Sequence, residues 1–277
     1  MNYLGNYFIQ NGEVQLLNTY NSNEDDNKHD VYEVIRVEDG IPLFIHDHLN
    51  RLKRSFIKLN YNYDLSNNKI IQSIQQLIHI DHIINDNIKI SCNIIDDNDS
   101  SSYFIFRIPS YYPSDKLYEH GVKTITLDAE RPNPNIKIAN TKVRITANQK
   151  IANQHVFEAL LINHNGYITE GSRTNLFFIK GDTIYTAPSD LVLEGIIRSK
   201  VMEIIEENNY SLKTECIHTS SIDQLDAAFI TGTSSRILPI QQIENKILNT
   251  NHQIIKDLTS LLQQKINNYK TKNAGTH

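Results

Sequence analysis

The stretch Tyr167-Ile168-Thr169-Glu170-Gly171-Ser172-Arg173-Thr174-Asn175 places a carboxylate and a glycine between two runs that read as strands, Phe157–Ile162 and Asn175–Ile179. A strand has no need of Glu-Gly-Ser at its centre, and a plain hairpin turn favours Asn-Gly or Asp-Gly. Glu170 therefore reads as an acid set among short residues so that another group can come close. Four further segments carry residues of comparable promise. Lys137 stands 33 residues upstream in Asn133-Pro134-Asn135-Ile136-Lys137-Ile138-Ala139-Asn140. Glu194-Gly195-Ile196-Ile197-Arg198 opens a helical pattern, and Phe229-Ile230-Thr231-Gly232-Thr233-Ser234-Ser235 is a strand running into a small-residue turn. Near the N-terminus, His46-Asp47-His48-Leu49-Asn50-Arg51-Leu52 begins another helix.

In this order, the five segments resemble the class IV aminotransferases, the fold type IV enzymes that use pyridoxal phosphate. That family includes branched-chain and D-amino acid transaminases and aminodeoxychorismate lyase. The resemblance covers roughly residues 30–245. It implies that Lys137 holds the aldehyde of pyridoxal 5'-phosphate covalently and shuttles the proton between substrate and cofactor. Lys142 and Lys150 are rivals for that role, and Lys142 would need a five-residue shift in register against Glu158. Glu170 matches the glutamate of the family's T-E-G-S-x-x-N pattern, which keeps the pyridine nitrogen protonated; a neighbouring cation favours the charged carboxylate. Glu158 is the competing carboxylate and reads as a residue of the strand that follows a helix.

The same resemblance assigns the phosphate. Gly195, Ile196 and Ile197 at a helix start supply the dipole and free N–H groups. The family usually has threonine where Ile197 stands, so one hydroxyl donor is missing or comes from elsewhere. Arg51 matches the phosphate-binding arginine of H-x-x-R-L, and a guanidinium fork suits phosphate better than a lysine would. Thr233 lies in the turn whose hydroxyl and amides reach the phosphate, and Ser234 beside it reaches the substrate in relatives. Tyr32 matches an aromatic that lines the cleft of D-amino acid transaminases, or else is a strand tyrosine half in the core. Arg107 lies on the strand where some relatives carry a carboxylate-binding arginine, with a register off by about one residue; such a slip reverses the strand face. Tyr111-Tyr112 either lids the cleft or packs the linker.

The implied activity is amino transfer from an amino acid to a 2-oxo acid in ping-pong turnover, nearest to branched-chain-like members. The same scaffold could perform β-elimination, as in aminodeoxychorismate lyase, or persist as a non-catalytic small-molecule binder. The family's example also implies a homodimer.

Composition fits a globular enzyme. The chain has 277 residues, 39% hydrophobic and 21% charged, which is ample for one large or two medium domains. A formal net charge of -5 gives no reason to expect nucleic acid or anionic membrane as a partner. Cys92 and Cys216 are far apart and lack metal-ligand spacing, which makes a reducing cytoplasm the default. His155, His164 and His218 lack ligand spacing too, so no metal site is expected. The N-terminus has no signal-peptide pattern, and no apolar run approaches membrane-spanning length.

The elements that must position these residues follow from periodicity. Hairpins are expected for Tyr7–Gln10 with Glu13–Leu17, around Asn11-Gly12, and for Val31–Val37 with Ile41–Phe44, around Asp39-Gly40. Asn21–Asp30 reads as a loop. Ile45, Leu49, Leu52, Phe56 and Leu59 share one face of a helix, with Arg51, His48 and Ser55 on its flank. A second helix is expected over Asn68–Ile78, then strands Asn87–Ile95 and Ser102–Ile108 about a polar turn, Asp96–Ser100. Ile108–Ser114 breaks the pattern. Later helices are expected over Ile145–Asn153, Ile196–Asn208 and Gln253–Asn268, among short strands. The sum is an α+β fold in two domains: a small N-terminal α/β domain over 1–112 and, by resemblance, a larger barrel-like, cofactor-binding domain over 113–277.

Overall fold

The structure, a computed structural model, describes residues 3–21, 30–93, 102–138 and 142–274. The expected loop Asn21–Asp30 lies outside them over 22–29, as do the turn 96–100, the end of the strand expected over 87–95, and Asn140. The chain forms two compact units. One comprises Met1–Tyr111, Ile136–Ala139 and Ile266–His277; the other comprises Tyr112–Asn135 and Asn140–Lys265. The sequence pattern suggests a single cut at 112/113, whereas this partition returns two later segments to the first unit.

The first unit is built on β1 (Leu4–Gln10), β2 (Glu13–Leu16), β3 (Asp30–Glu38), β4 (Ile41–Pro42), α1 (Ile45–Lys58), α2 (Asn67–Ile80), β5 (Asp86–Asn93) and β6 (Ser102–Ile108). Its sheet is six-stranded in the order β2-β1-β6-β5-β3-β4, with every pairing antiparallel. Alternation in these strands gives the sheet two unlike faces. Val31, Ile35, Val37, Ile88, Ile90 and Ile105 join Leu49, Leu52 and Phe56 of α1 and Ile70, Ile74 and Leu77 of α2 in one core. On the opposite face Phe8, Phe104 and Phe106 cluster with Tyr3 and Tyr20. The helix stripe read from the sequence is thus the buried one, and both expected hairpins form.

The second unit contains α3 (Asp115–His120), β7 (Val122–Asp128), α4 (Lys142–Gln154), β8 (Glu158–Ile162), β9 (Tyr167–Gly171), β10 (Asn175–Lys180), β11 (Thr183–Tyr185), α5 (Ile196–Glu207), β12 (Ser211–Lys213), β13 (Ile217–His218), β14 (Ala227–Gly232), β15 (Arg236–Ile243), β16 (Lys246–Ile247) and most of α6 (Gln253–Asn273). Its ten-stranded sheet is mixed, in the order β12-β11-β10-β14-β15-β7-β8-β9-β13, with β16 on β15. Leu160, Ile168, Leu176, Phe178, Ile230 and Leu238 form a core on one side of this sheet, and α4 packs through Ala147 against Ile125 and Leu161 on the other. The whole is the two-domain α+β fold that the patterning indicated.

One expectation needs correction. The sequence pattern sets Glu170 between strands, yet it belongs to one. β9 pairs with β8 across a register shift and with β13 through Ile168 and Ile217. Those pairings satisfy the backbone of a segment whose side chains alone do not read as a strand. The turn proper is Ser172–Thr174, and short-range sequence signals also missed α3, a helix of only six residues.

A buried polar cluster fastens α1 to β3. The Glu33 carboxylate has 0% exposure and accepts hydrogen bonds from Arg51 Nε (2.7 Å) and Nη2 (2.6 Å), with His48 Nδ1 at 2.7 Å. Burial alone would push this carboxyl up; the Arg51 guanidinium, helped by His48, outweighs it and holds it down at about 2. Burial likewise holds the His48 imidazole below its ordinary value, against the pull of Glu33. A depressed carboxyl contributes stability that is complete above its ordinary value of 4.5 and is lost as the pH falls toward 2. Glu33→Gln is therefore expected to flatten that acid limb in urea unfolding measured as a function of pH. Arg51→Met strands a buried charge and is expected to destabilise the protein by about 3–5 kcal/mol at neutral pH. A loss below about 1 kcal/mol, the range of exposed pairs, would contradict the account.

Candidate active site

Tyr32, Arg51, Arg107 and Lys137 fall in the first unit; Glu170, Ile196, Ile197, Thr233 and Ser234 fall in the second. In the first, β3 has an edge that β4 covers only at Val37 and Glu38. The Lys137 segment occupies the other end of that edge. Tyr32 N donates to Lys137 O at 3.1 Å, and Ile138 bridges Val31 in antiparallel sense. Lys137 consequently shares a sheet face with Tyr32, and its Nζ lies 4.6 Å from the centre of the Tyr32 ring. Backbone pairing with β3 holds the segment that carries this lysine.

Arg51 is buried at 4% exposure and gives two of its nitrogens to Glu33, an engagement that the sequence pattern did not reveal. Arg107 pairs with Asp86 at 2.6 and 2.8 Å. The register Ile88↔Arg107 puts Arg107 on the face packed by α1 and α2, whereas Tyr32↔Ser91↔Phe104 lie on the opposite face. The two substrate candidates of this unit therefore do not converge. A one-residue slip is enough to reverse the face, and that is the outcome here.

In the second unit, Glu170 is 2% exposed. Its Oε2 accepts from Leu193 N at 3.1 Å, and its Oε1 lies 3.3 Å from Arg131 Nε. Arg131 also donates from Nη2 to Ser172 O at 2.8 Å, so it is oriented by the turn that follows the acid. Glu158, the rival carboxylate, is occupied by that same turn and by its own strand. It accepts from Ser172 Oγ (2.6 Å), Thr174 Oγ1 (3.0 Å), Arg173 N (3.2 Å) and Ala159 N (2.9 Å). A Cβ at Gly171 would come within 2.3 Å of Thr174 Oγ1 and 3.0 Å of Glu158 Cγ, so the glycine is what lets the turn close over the carboxylate.

Two residues after Leu193, Gly195 opens α5, where the first-turn N–H groups have no intrahelical acceptor. A Cβ at Gly195 would sit 2.1 Å from Asn175 Oδ1. Asn175 in turn donates to Leu193 O at 2.7 Å, so β10, the 193–195 segment and the helix start are locked together. Ile197 is buried at 6% exposure, an apolar side chain in place of a hydroxyl. Arg198 is directed elsewhere, to Ala187 O and Ser189 Oγ. Thr233 and Ser234 lie half-buried in the turn between β14 and β15. Close by in sequence, the buried Thr231 hydroxyl has no hydrogen-bond partner among the described residues. A buried acid flanked by an arginine, a glycine-opened helix start and an unmet hydroxyl together form a donor set that fits a phosphorylated, protonated heterocycle.

Arg131 and Glu33 escaped the sequence reading. Neither stands in a periodic or motif context that marks it, and both act through a partner distant in sequence. No helix among the described residues is long and apolar enough to cross a membrane.

Comparison with known proteins agrees with this geometry. Residues 30–243 match the family Amino-transferase class IV. The chain is 27% identical over 248 residues to a D-alanine aminotransferase of Bacillus licheniformis, covering 85% of this chain and 87% of that protein. It is 24% identical over 227 residues to the aminodeoxychorismate lyase of Bacillus subtilis, covering 77% of each. A branched-chain aminotransferase from the thermophilic archaeon Thermoproteus uzoniensis, solved with norvaline, superposes with a TM-score of 0.85 at 20% identity, over 97% of each chain. The protein is a member of the class IV aminotransferase family, whose enzymes are pyridoxal-phosphate-dependent transaminases.

Proposed function

We propose that the protein binds pyridoxal 5'-phosphate and transfers an amino group from an amino acid, of branched-chain type, to a 2-oxo acid. The observation that carries the reading is the hydrogen bond from Leu193 N to Glu170 Oε2. It ties a buried acid to the segment that opens α5, so the acid and the free N–H groups of a helix start are held in one fixed arrangement. Bound there, the cofactor would supply an electron sink for the substrate carbon that loses a proton.

The chain's own residues divide the remaining work. Lys137 would be the covalent anchor through its neutral amine, and once released that amine would be the base that takes and returns the proton. Glu170, with the Arg131 guanidinium beside it, would hold the proton on the ring nitrogen. The N–H groups of Ile196 and Ile197 and the Thr233 hydroxyl would receive the phosphate, while Arg51, which the resemblance also assigns to it, has two of its nitrogens given to Glu33. Tyr32 lines the substrate side of Lys137, and Ser234 stands beside Thr233 to meet the substrate. A homodimer in a cytoplasmic setting belongs to the same proposal, by the family's example.

Purified protein given pyridoxal phosphate is expected to turn yellow, and borohydride to fix the label on Lys137, as read by peptide mass. Lys137→Ala should carry no fixed label; a label on Lys142 or Lys150 would sink the assignment. Glu170→Gln is expected to keep the cofactor while turnover falls roughly 100- to 1000-fold, as when an oriented electrostatic partner is removed. Amino transfer to 2-oxoglutarate, measured beside pyruvate release from aminodeoxychorismate, separates the transaminase from the lyase chemistry of one relative. Pyruvate release without any oxo-acid acceptor would overturn the transaminase reading.

A further inference from the structure

Glu158 is a carboxylate with 0% exposure at the start of β8, and the chemistry set out above makes no use of it. A charge so far from water costs several kcal/mol unless donors answer it. Arg173 Nε stands 3.9 Å away, too far for a hydrogen bond, so neutral donors do the answering. Oε1 accepts from Ser172 Oγ and Ala159 N, and Oε2 accepts from Thr174 Oγ1 and Arg173 N. Most of these donors belong to the turn 172–174.

Ser172 passes this hold onward. Its N–H donates to Ala159 O at 2.9 Å and its hydroxyl to Glu158 at 2.6 Å, which pins the residue at both points. Its carbonyl is thereby presented to two arginines, accepting from Arg131 Nη2 at 2.8 Å and from Arg144 Nη1 at 3.0 Å. Arg131 spans from that carbonyl to Glu170, with its Nε 3.3 Å from Oε1. The other Glu170 oxygen accepts from Leu193 N. A path of short contacts thus runs from a carboxylate closed inside its own turn to the acid assigned to the cofactor ring.

We propose, resting on Glu170 as the partner of the cofactor ring nitrogen, that Glu158 is a positioning residue for that acid, acting through the 172–174 turn and Arg131. What Glu158 fixes is the Ser172 carbonyl, and with it the angle at which Arg131 meets Glu170. Its charge matters as well as its shape. The donors around it need two acceptor oxygens, and an amide offers one. Hydroxyls can turn to accept from an amide nitrogen, whereas backbone N–H groups cannot. Glu158→Gln therefore leaves Ala159 N or Arg173 N unanswered and opens the turn on that side.

The test is a double-mutant cycle over Glu158→Gln and Arg131→Met, read by NMR at one fixed pH. Without cofactor, the signals are the Arg131 Nε resonance and the Glu170 carboxyl carbon. With cofactor, the signal is the ring nitrogen of isotopically labelled pyridoxal phosphate, whose shift reports its share of the proton. Folded Glu158→Gln is expected to move all of these signals, the ring nitrogen toward its unprotonated position. Arg131→Met should move the Glu170 and ring signals at least as far. Adding Glu158→Gln to it should move them no further, because groups that act in series do not add. Ser172→Ala drops the hydroxyl and keeps the carbonyl; it should shift the signals the same way by less, and it carries the test if the glutamine variant does not fold. A merely structural role would lower stability to urea while the folded variant keeps wild-type signals, and that outcome overturns the proposal. Additive shifts in the double variant overturn it too. Protein that takes up no pyridoxal phosphate refutes the proposed function instead, while the cofactor-free signals still read Glu158.

Discussion

Glu33 is a carboxylate with no route to water, and the arrangement of the first unit depends on how its charge is answered. Arg51 and His48, one turn apart on α1, meet it with three contacts of 2.6–2.7 Å. A buried ion held at this number of points leaves helix and strand little freedom to slide. Because alternate residues of a strand face opposite ways, orienting Glu33 toward α1 also orients Tyr32 away from it. The face on which Tyr32 and Lys137 gather is therefore set by an interaction on the other side of the sheet.

The second unit solves a similar problem with a different carboxylate. Glu158 lies at the start of β8, and its oxygens gather the donors of Ser172, Arg173 and Thr174 into a closed turn. That turn presents its Ser172 carbonyl to both Arg131 and Arg144. Arg131 is then in place beside Glu170. One buried acid shapes the loop, the loop fixes a cation, and the cation lies against the second acid.

Much of this could be read in the amino-acid sequence because it is local. The stripe Ile45, Leu49, Leu52, Phe56 predicts α1, Asn-Gly and Asp-Gly mark both hairpins, and the order of motifs carries the family. What was not legible is what depends on partners far apart in the chain. Glu33 gives no sign of its ion pair, since Arg51 lies 18 residues on. Arg131 is tied to Ser172, 41 residues away. The strand character of β9 comes from pairing with β8 and β13, not from its own Glu-Gly pair. The face that Arg107 takes depends on a register that only the assembled sheet defines.

The docking of the 136–138 segment on β3 has a consequence for how that region would be monitored in solution. The Tyr32 amide proton is occupied by the carbonyl of Lys137 itself. Its exchange with deuterated solvent can proceed only when the lysine-bearing segment lifts from the strand. One peptide hydrogen thus serves as a built-in clock for the anchorage of Lys137, the lysine proposed to carry the cofactor.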